Sequence, residues 1–144
     1  MHFEQVLSQL FTGLLAGALT FVSFVDTRTY LTLCNSPETS SHLKDIFPIW
    51  WPAGRDLMVP LLIMAATSNG FAYWVNNGGW QYVVAICCMV FIGLWTAVVM
   101  GEDIGKLMRA KEMKSIRRST RKFCTLHHVR LVVALAAYLC VLTV

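Results

Sequence analysis

From Leu57 to Gly101 the chain runs for 45 consecutive residues without one formally charged side chain. A helix that crosses a membrane needs about 20 predominantly apolar residues, so this stretch is too long for a single span. Near its middle stands Asn76-Asn77-Gly78-Gly79, a strong turn signal. The stretch therefore reads as a helical hairpin with spans at 57–75 and 80–100. A second uncharged run, Gln5 to Val25, supplies a span at 6–25. The fourth span is the shortest of material. Only 14 residues follow Arg130, about 21 Å of helix at about 1.5 Å per residue. A hydrocarbon core of about 30 Å then requires the span to begin near Thr125, at 125–144, which draws Arg130 inside it.

Composition agrees. The hydrophobic share is 56% and the charged share 14%, against about 45–50% and about 25% in soluble domains. Disorder is excluded by the abundance of aromatic and branched residues. The expectation is an all-α membrane protein, a four-transmembrane-helix bundle that forms a single transmembrane domain over 1–144. Its longer loops lie at 26–56 and 101–124.

Orientation follows from the Lys and Arg bias. The first loop carries Arg28, Lys44 and Arg55; the second carries Lys106, Arg109, Lys111, Lys114, Arg117, Arg118, Arg121 and Lys122. The positive-inside rule places both loops in the cytoplasm and both termini on the non-cytoplasmic side. A cleaved signal peptide is not expected, because His2 and Glu4 stand where a basic n-region would be. The basic segment 106–122 suits an anionic lipid surface; since topology already explains its charge, nucleic-acid binding is not expected. Cys34 and Cys124 fall on the reducing side and Cys87, Cys88 and Cys140 in apolar spans, so the five cysteines read as small hydrophobes and not as a disulfide framework.

Inside the spans, Gly13 and Gly17 form a GxxxG motif, and Gly93, Ala97, Gly101 and Gly105 repeat small-residue spacing. Such faces let helix backbones approach closely, within one bundle or against another subunit. Asn69 falls mid-span, as an interhelical hydrogen-bonding residue or part of a ligand cavity. Trp50, Trp51, Trp74, Trp80, Tyr73 and Tyr82 cluster at span ends, where interfacial aromatic belts occur. Ser36-Pro37-Glu38 marks a helix start, giving a short helix near 37–46. Pro48 and Pro52 then stop it, leaving Phe47 to Trp51 in the interface.

The charges concentrate at one mouth of the bundle. Asp26 and Arg28 end the first span, Arg55 and Asp56 begin the second, Glu102 and Asp103 end the third, and His127, His128 and Arg130 open the fourth. His127 and Arg130, three positions apart, share a helix face, whereas His128 is turned away by about 100°. An Arg within hydrocarbon costs about 2.5–3.5 kcal/mol on insertion scales unless it snorkels or pairs. Asp26 and Glu102, with Asp56, are its candidate ion-pair partners. One reading makes these charges register-fixing ion pairs at the headgroup layer. The other makes them a polar site below an apolar cavity, where His127 or His128 transfers a proton and Arg130 holds a developing anion. A metal site fits less well, because adjacent histidines lack the i,i+3 or i,i+4 spacing of helical metal motifs.

The layout resembles a family of small four-span membrane proteins that includes the fungal anthrone oxygenases. The resemblance rests on Gly13-Leu14-Leu15-Ala16-Gly17-Ala18 leading to Asp26-Thr27-Arg28, on Trp51-Pro52 with Pro60, and on Cys124 to Ala137 with its His127-His128-Val129-Arg130 core. It implies an oxygenase that converts an anthrone to an anthraquinone with molecular oxygen. On that reading a lipophilic aromatic or quinone-like substrate enters from the bilayer, His127 or His128 removes a proton, Arg130 stabilises the oxyanion, and O2 reacts with the carbanion without a protein-bound metal; the resemblance names no cofactor. The alternative is a non-catalytic accessory or structural subunit of a larger membrane complex, using its small-residue faces and interfacial aromatics.

Overall fold

The computed structural model describes residues 2–109 and 113–144, the side chains of 37, 38, 40 and 113 excepted. Its four long helices are α1, Phe3–Leu33, α2, Pro37–Val75, α3, Trp80–Arg109, and α4, Met113–Leu142. Each contains a stretch long and apolar enough to cross a membrane. α1 packs on α2 and α4, and α3 on the same two, closing an up-down four-helix ring. The hairpin between α2 and α3 turns where the Asn-Asn-Gly-Gly run predicts. Asn77, Gly78 and Gly79 take φ of 53°, 121° and 136°, a left-handed excursion that Gly and Asn accept most readily.

The expected loops are mostly helix. Ser36 caps α2, its hydroxyl accepting the Thr39 N–H at 3.1 Å, with Pro37 in the first turn. That start is where the sequence places it, but the helix does not stop at 46. It runs for 39 residues through Pro48, Pro52 and Pro60, a rod of about 58 Å, far longer than a hydrocarbon core of about 30 Å. Proline removes one N–H and crowds the carbonyl four residues back, yet neighbouring packing sustains helices through it. Here Phe47 is buried while Trp50 and Trp51 are half-buried against the bundle, so the segment is held by tertiary contacts. The 101–124 segment is likewise helical over 101–109 and from 113 onward; Lys111 lies outside the described residues.

Two cores stack along the bundle. The first, at the hairpin end and middle, joins Leu15, Leu19, Met89, Ile92 and the small residues Ala65, Ala72, Ala85, Ala134 and Ala137. Small residues on every face bring the backbones close, which lipid-embedded helices need in place of a hydrophobic drive. Gly13 sits so near α4 that a Cβ there would stand 2.9 Å from the Tyr138 ring, whereas Gly17 has open space before it. Asn69 is wholly buried and links α2 to α1. Its amide accepts from Ser8 Oγ at 2.8 Å and donates to Thr12 Oγ1 at 2.9 Å, the interhelical role its mid-span position suggests.

The second core, toward the basic end, is aromatic. Phe123 meets Phe47 edge-on at 5.5 Å and Trp51 at 5.7 Å, and Tyr30 meets Trp50 edge-on at 5.3 Å. Trp74, Trp80 and Tyr73 are exposed at the opposite end. Trp50, Trp51 and the buried Tyr82 face inward instead, a difference from the expected belt that follows from the helix phase of α2 and α3.

Both α1 and α3 are interrupted by π-helical turns, Val22–Asp26 and Trp95–Met100. A π-turn accommodates one extra residue in an α-helix and so shifts the helix phase below it. The buried stripe of α1 records the shift. It takes three successive four-residue steps, Leu15 to Leu19 to Ser23 to Thr27, which a regular repeat of 3.6 would carry off the core face.

Candidate functional site

The two π-turns lie beside a cavity of about 370 Å³ between the two cores. Leu15, Leu19 and Val22 of α1, Met58 and Leu62 of α2, and Ile92, Gly93 and Ala97 of α3 form its apolar wall. Trp50, Trp51 and Ile104 close the basic side, and His127 and Arg130 of α4 supply its buried polar floor. The volume falls in the range of sites for small organic ligands, about 300–1,000 Å³. The small-residue face of α3 is what leaves this room: Gly93, Ala97 and Gly101 all border the space.

His127 and Arg130 are 1% and 7% exposed. Their three-residue separation stacks them on one face of α4, and Arg130 Nη2 bonds His127 Nδ1. Nη1 donates to Thr96 Oγ1 at 3.1 Å. Because a guanidinium has donors and no acceptor, the hydrogen-bond pattern makes Nδ1 the acceptor and assigns the neutral imidazole proton to Nε2. Arg130 Nε is buried and completes no hydrogen bond with the described residues, and beyond Arg130 the imidazole's polar contact is with the Leu19 backbone. The Phe123 ring stacks on the imidazole at 6.4 Å.

Two further contacts fix this pair from α3. Thr96 Oγ1 donates its single proton to the Ile92 carbonyl at 2.8 Å, leaving lone pairs for the guanidinium. Trp95 Nε1 donates to the Leu126 carbonyl at 3.2 Å, one residue before His127.

The other candidates are placed elsewhere. His128 is exposed on the far side of α4, beside Ser23, Thr27, Arg28 and Asn35 of α1 and its following turn. Glu102 pairs with Lys106 at 2.5 Å on the surface, one turn along the same helix. Asp56 pairs with its neighbour Arg55 at 2.7 Å, and Asp26 is half-buried. Among the described residues no carboxylate forms an ion pair with Arg130, which corrects the expectation that Asp26 or Glu102 would do so. Position explains it: Arg130 faces the cavity at the level of Thr96, whereas Glu102 lies more than one turn further toward the basic end of α3. The buried carboxylate at this end is Asp103, bonded to Lys122 of α4 at 2.7 Å. Among the described residues no three His, Cys, Asp or Glu side chains converge as metal ligands.

Thr96 and Trp95 were not singled out by the sequence reading. An apolar span gives no compositional mark of a π-turn; the available signal was a hydroxyl on the helix face that already carries Gly93 and Gly101.

Fold and site together describe a four-helix protein of membrane-spanning dimensions, with an apolar chamber closed by a buried cation. The sequence profile of the anthrone oxygenase family matches residues 47–140. The chain belongs to that family. The match takes in Trp51-Pro52, Pro60 and the Cys124 to Ala137 segment, and hence the α2, α3 and α4 walls of the cavity, but stops short of α1. No curated protein and no solved structure gives a significant match.

Proposed function

We propose that this protein oxidises a planar, lipophilic aromatic ketone of the anthrone or quinone-like type with molecular oxygen, at the cavity floor formed by His127 and Arg130. The observation that carries the reading is a guanidinium buried at the end of an apolar chamber with no carboxylate paired to it among the described residues. Such a cation stabilises a ligand oxygen that becomes negative during reaction, because the low dielectric strengthens the interaction.

The ketone oxygen approaches Arg130. As the guanidinium turns Nη2 from His127 to that oxygen, the Nδ1 lone pair becomes free to take a proton from the acidic ring CH2. The resulting enolate is held as an oxyanion by Arg130. Its carbon bonds to O2, and the imidazolium returns its proton to the distal oxygen. The hydroperoxide loses water: the second C–H and the O–O bond break, and the carbon becomes a carbonyl. One O2 is consumed and one water released per CH2 oxidised. His128 has no part in this route, lying outside the chamber.

The chamber opens between helices that we place in the bilayer, so a lipophilic substrate arrives laterally. The basic residues of α1, α2, the end of α3 and the start of α4 then face the cytoplasm. The test is turnover of 1,8-dihydroxy-9-anthrone by the full chain in nanodiscs, read as quinone absorbance with matched O2 uptake. Oxidation well above the protein-free rate is expected, and lost in Arg130→Gln and His127→Gln. A rate equal to the protein-free control, or unchanged in both variants, overturns the reading and favours an accessory subunit.

A further inference from the structure

We infer that Thr96 and Trp95, the first two residues of the π-turn in α3, are positioning residues that hold the Arg130 guanidinium toward the cavity; the catalytic arm of this inference rests on the oxidase reading above. Arg130 has four side-chain torsions and, among the described residues, no anion paired to it, so its direction is set by what accepts its hydrogens. Nδ1 of His127 and Oγ1 of Thr96 are those acceptors. Before substrate arrives, two bonds from one planar group to two different helices fix both its plane and its rotation, and Nε is the guanidinium nitrogen left without a partner among the described residues.

Thr96 is suited to this by its own constraint. A hydroxyl has one proton, and the Ile92 carbonyl takes it at 2.8 Å. The oxygen therefore meets Arg130 as an acceptor. A serine can repeat this arrangement; a valine matches the shape and supplies no acceptor.

Trp95 acts on the other partner. Its indole N–H reaches the Leu126 carbonyl at 3.2 Å, and in an α-helix that carbonyl is also the acceptor for the backbone N–H of Arg130, four residues on. The contact ties the π-turn of α3 to the turn of α4 that carries both polar residues. Trp95 also stacks on Phe91 at 5.4 Å, which limits the indole to one direction.

The experiment uses the full-length chain with 15N-labelled arginine in detergent micelles, together with turnover of 1,8-dihydroxy-9-anthrone. In the wild type the Arg130 Nη protons are expected to be resolved by slow rotation, assigned by their absence in Arg130→Gln. Thr96→Val should collapse that signal and lower kcat at least 10-fold with KM changed less than 2-fold, and Thr96→Ser should restore both. Trp95→Phe should broaden the signal with kcat reduced about 3-fold to 10-fold. Circular dichroism and thermal melting identify any variant that fails to fold, and Thr96→Ser then decides by comparison with the wild type. If Thr96→Val keeps both the resolved Nη signal and kcat, or Thr96→Ser loses both while folded, the inference is overturned. An Nη signal that responds to Thr96 in a protein without turnover supports the positioning role and removes the oxidase reading alone.

Discussion

Arg130 and Thr96 stand 34 positions apart in the chain and 3.1 Å apart in the bundle. Neither is acidic, so the contact orients the guanidinium without neutralising it. A cation kept charged and unneutralised in an apolar setting costs free energy that the fold must supply elsewhere.

Arg130→Met should therefore separate stability from chemistry. Replacing a buried charge by a side chain of similar length relieves desolvation, so the thermal midpoint should equal or exceed that of the wild type. Turnover of the anthrone should fall about 100-fold to 1,000-fold, the size of effect produced by removing an oxyanion donor. A variant melting well below the wild type would show the guanidinium to be a structural bond.

Asn69→Leu should weaken the α1–α2 interface while leaving the cavity floor alone. It removes the bonds to Ser8 and Thr12 and leaves both hydroxyls buried. Hydrogen bonds between membrane helices average about 0.6 kcal/mol each, so a loss of about 1–2 kcal/mol is expected in a reversible denaturation titration. The wild-type KM should be retained.

The two glycines of the GxxxG motif should respond oppositely. Gly13→Val drives a branched side chain into the Tyr138 ring, where even a Cβ would stand at 2.9 Å; overpacking of this kind costs about 1–3 kcal/mol. Gly17→Ala meets nothing within 4 Å and should leave stability unchanged or raise it by about 0.5–1 kcal/mol through the helix preference for alanine. Melting curves of the two variants, recorded side by side, check the contrast.

Cys34 should resist water-soluble maleimide at neutral pH. Burial pushes its thiol above the ordinary range, outweighing the opposing influence of the Thr120 hydroxyl and of Arg121 and Arg117. The reactive species is the thiolate. A raised value keeps the group protonated through neutrality, so labelling should stay slow and accelerate only at a pH above that which ionises a free cysteine. Mass spectrometry of peptides labelled between pH 7 and pH 10 follows the rate; labelling of Cys34 in the folded protein as fast as free cysteine at pH 7 would contradict its burial.

The broad architecture was legible because it rests on runs and turns. Uncharged stretches and the Asn76 to Gly79 signal set the helix number and the hairpin, and the spacing of His127 and Arg130 set their shared face. What escaped depends on tertiary packing. Pro48 and Pro52 are helix stops in isolation, but Phe47, Trp50 and Trp51 pack into the aromatic core and carry α2 through them. The same tryptophans resemble a belt until their neighbours are known. A charge ring at one mouth suggested carboxylate partners for Arg130, yet Asp56 and Glu102 pair with Arg55 and Lys106 instead. Thr96 was invisible as a partner because the helix phase of α3 is broken at that residue, a change that hydropathy does not register.

The π-turns have a consequence for inheritance as well as for chemistry. Each corresponds to the room taken by one surplus residue, so a deletion of one codon within 95–100 would allow α3 to relax to a regular helix. Everything from there to Arg109 would keep its facing, with Leu107 still in the aromatic core and Asp103 beside Lys122, but the widened turn that brings Trp95 and Thr96 to α4 would be gone. The hydropathy profile would hardly alter, and the chain would still read as four spans. Function in such a protein can thus be lost through a change of length that composition conceals, and two relatives with the same apolar pattern are equivalent only if they count the same number of residues across this turn.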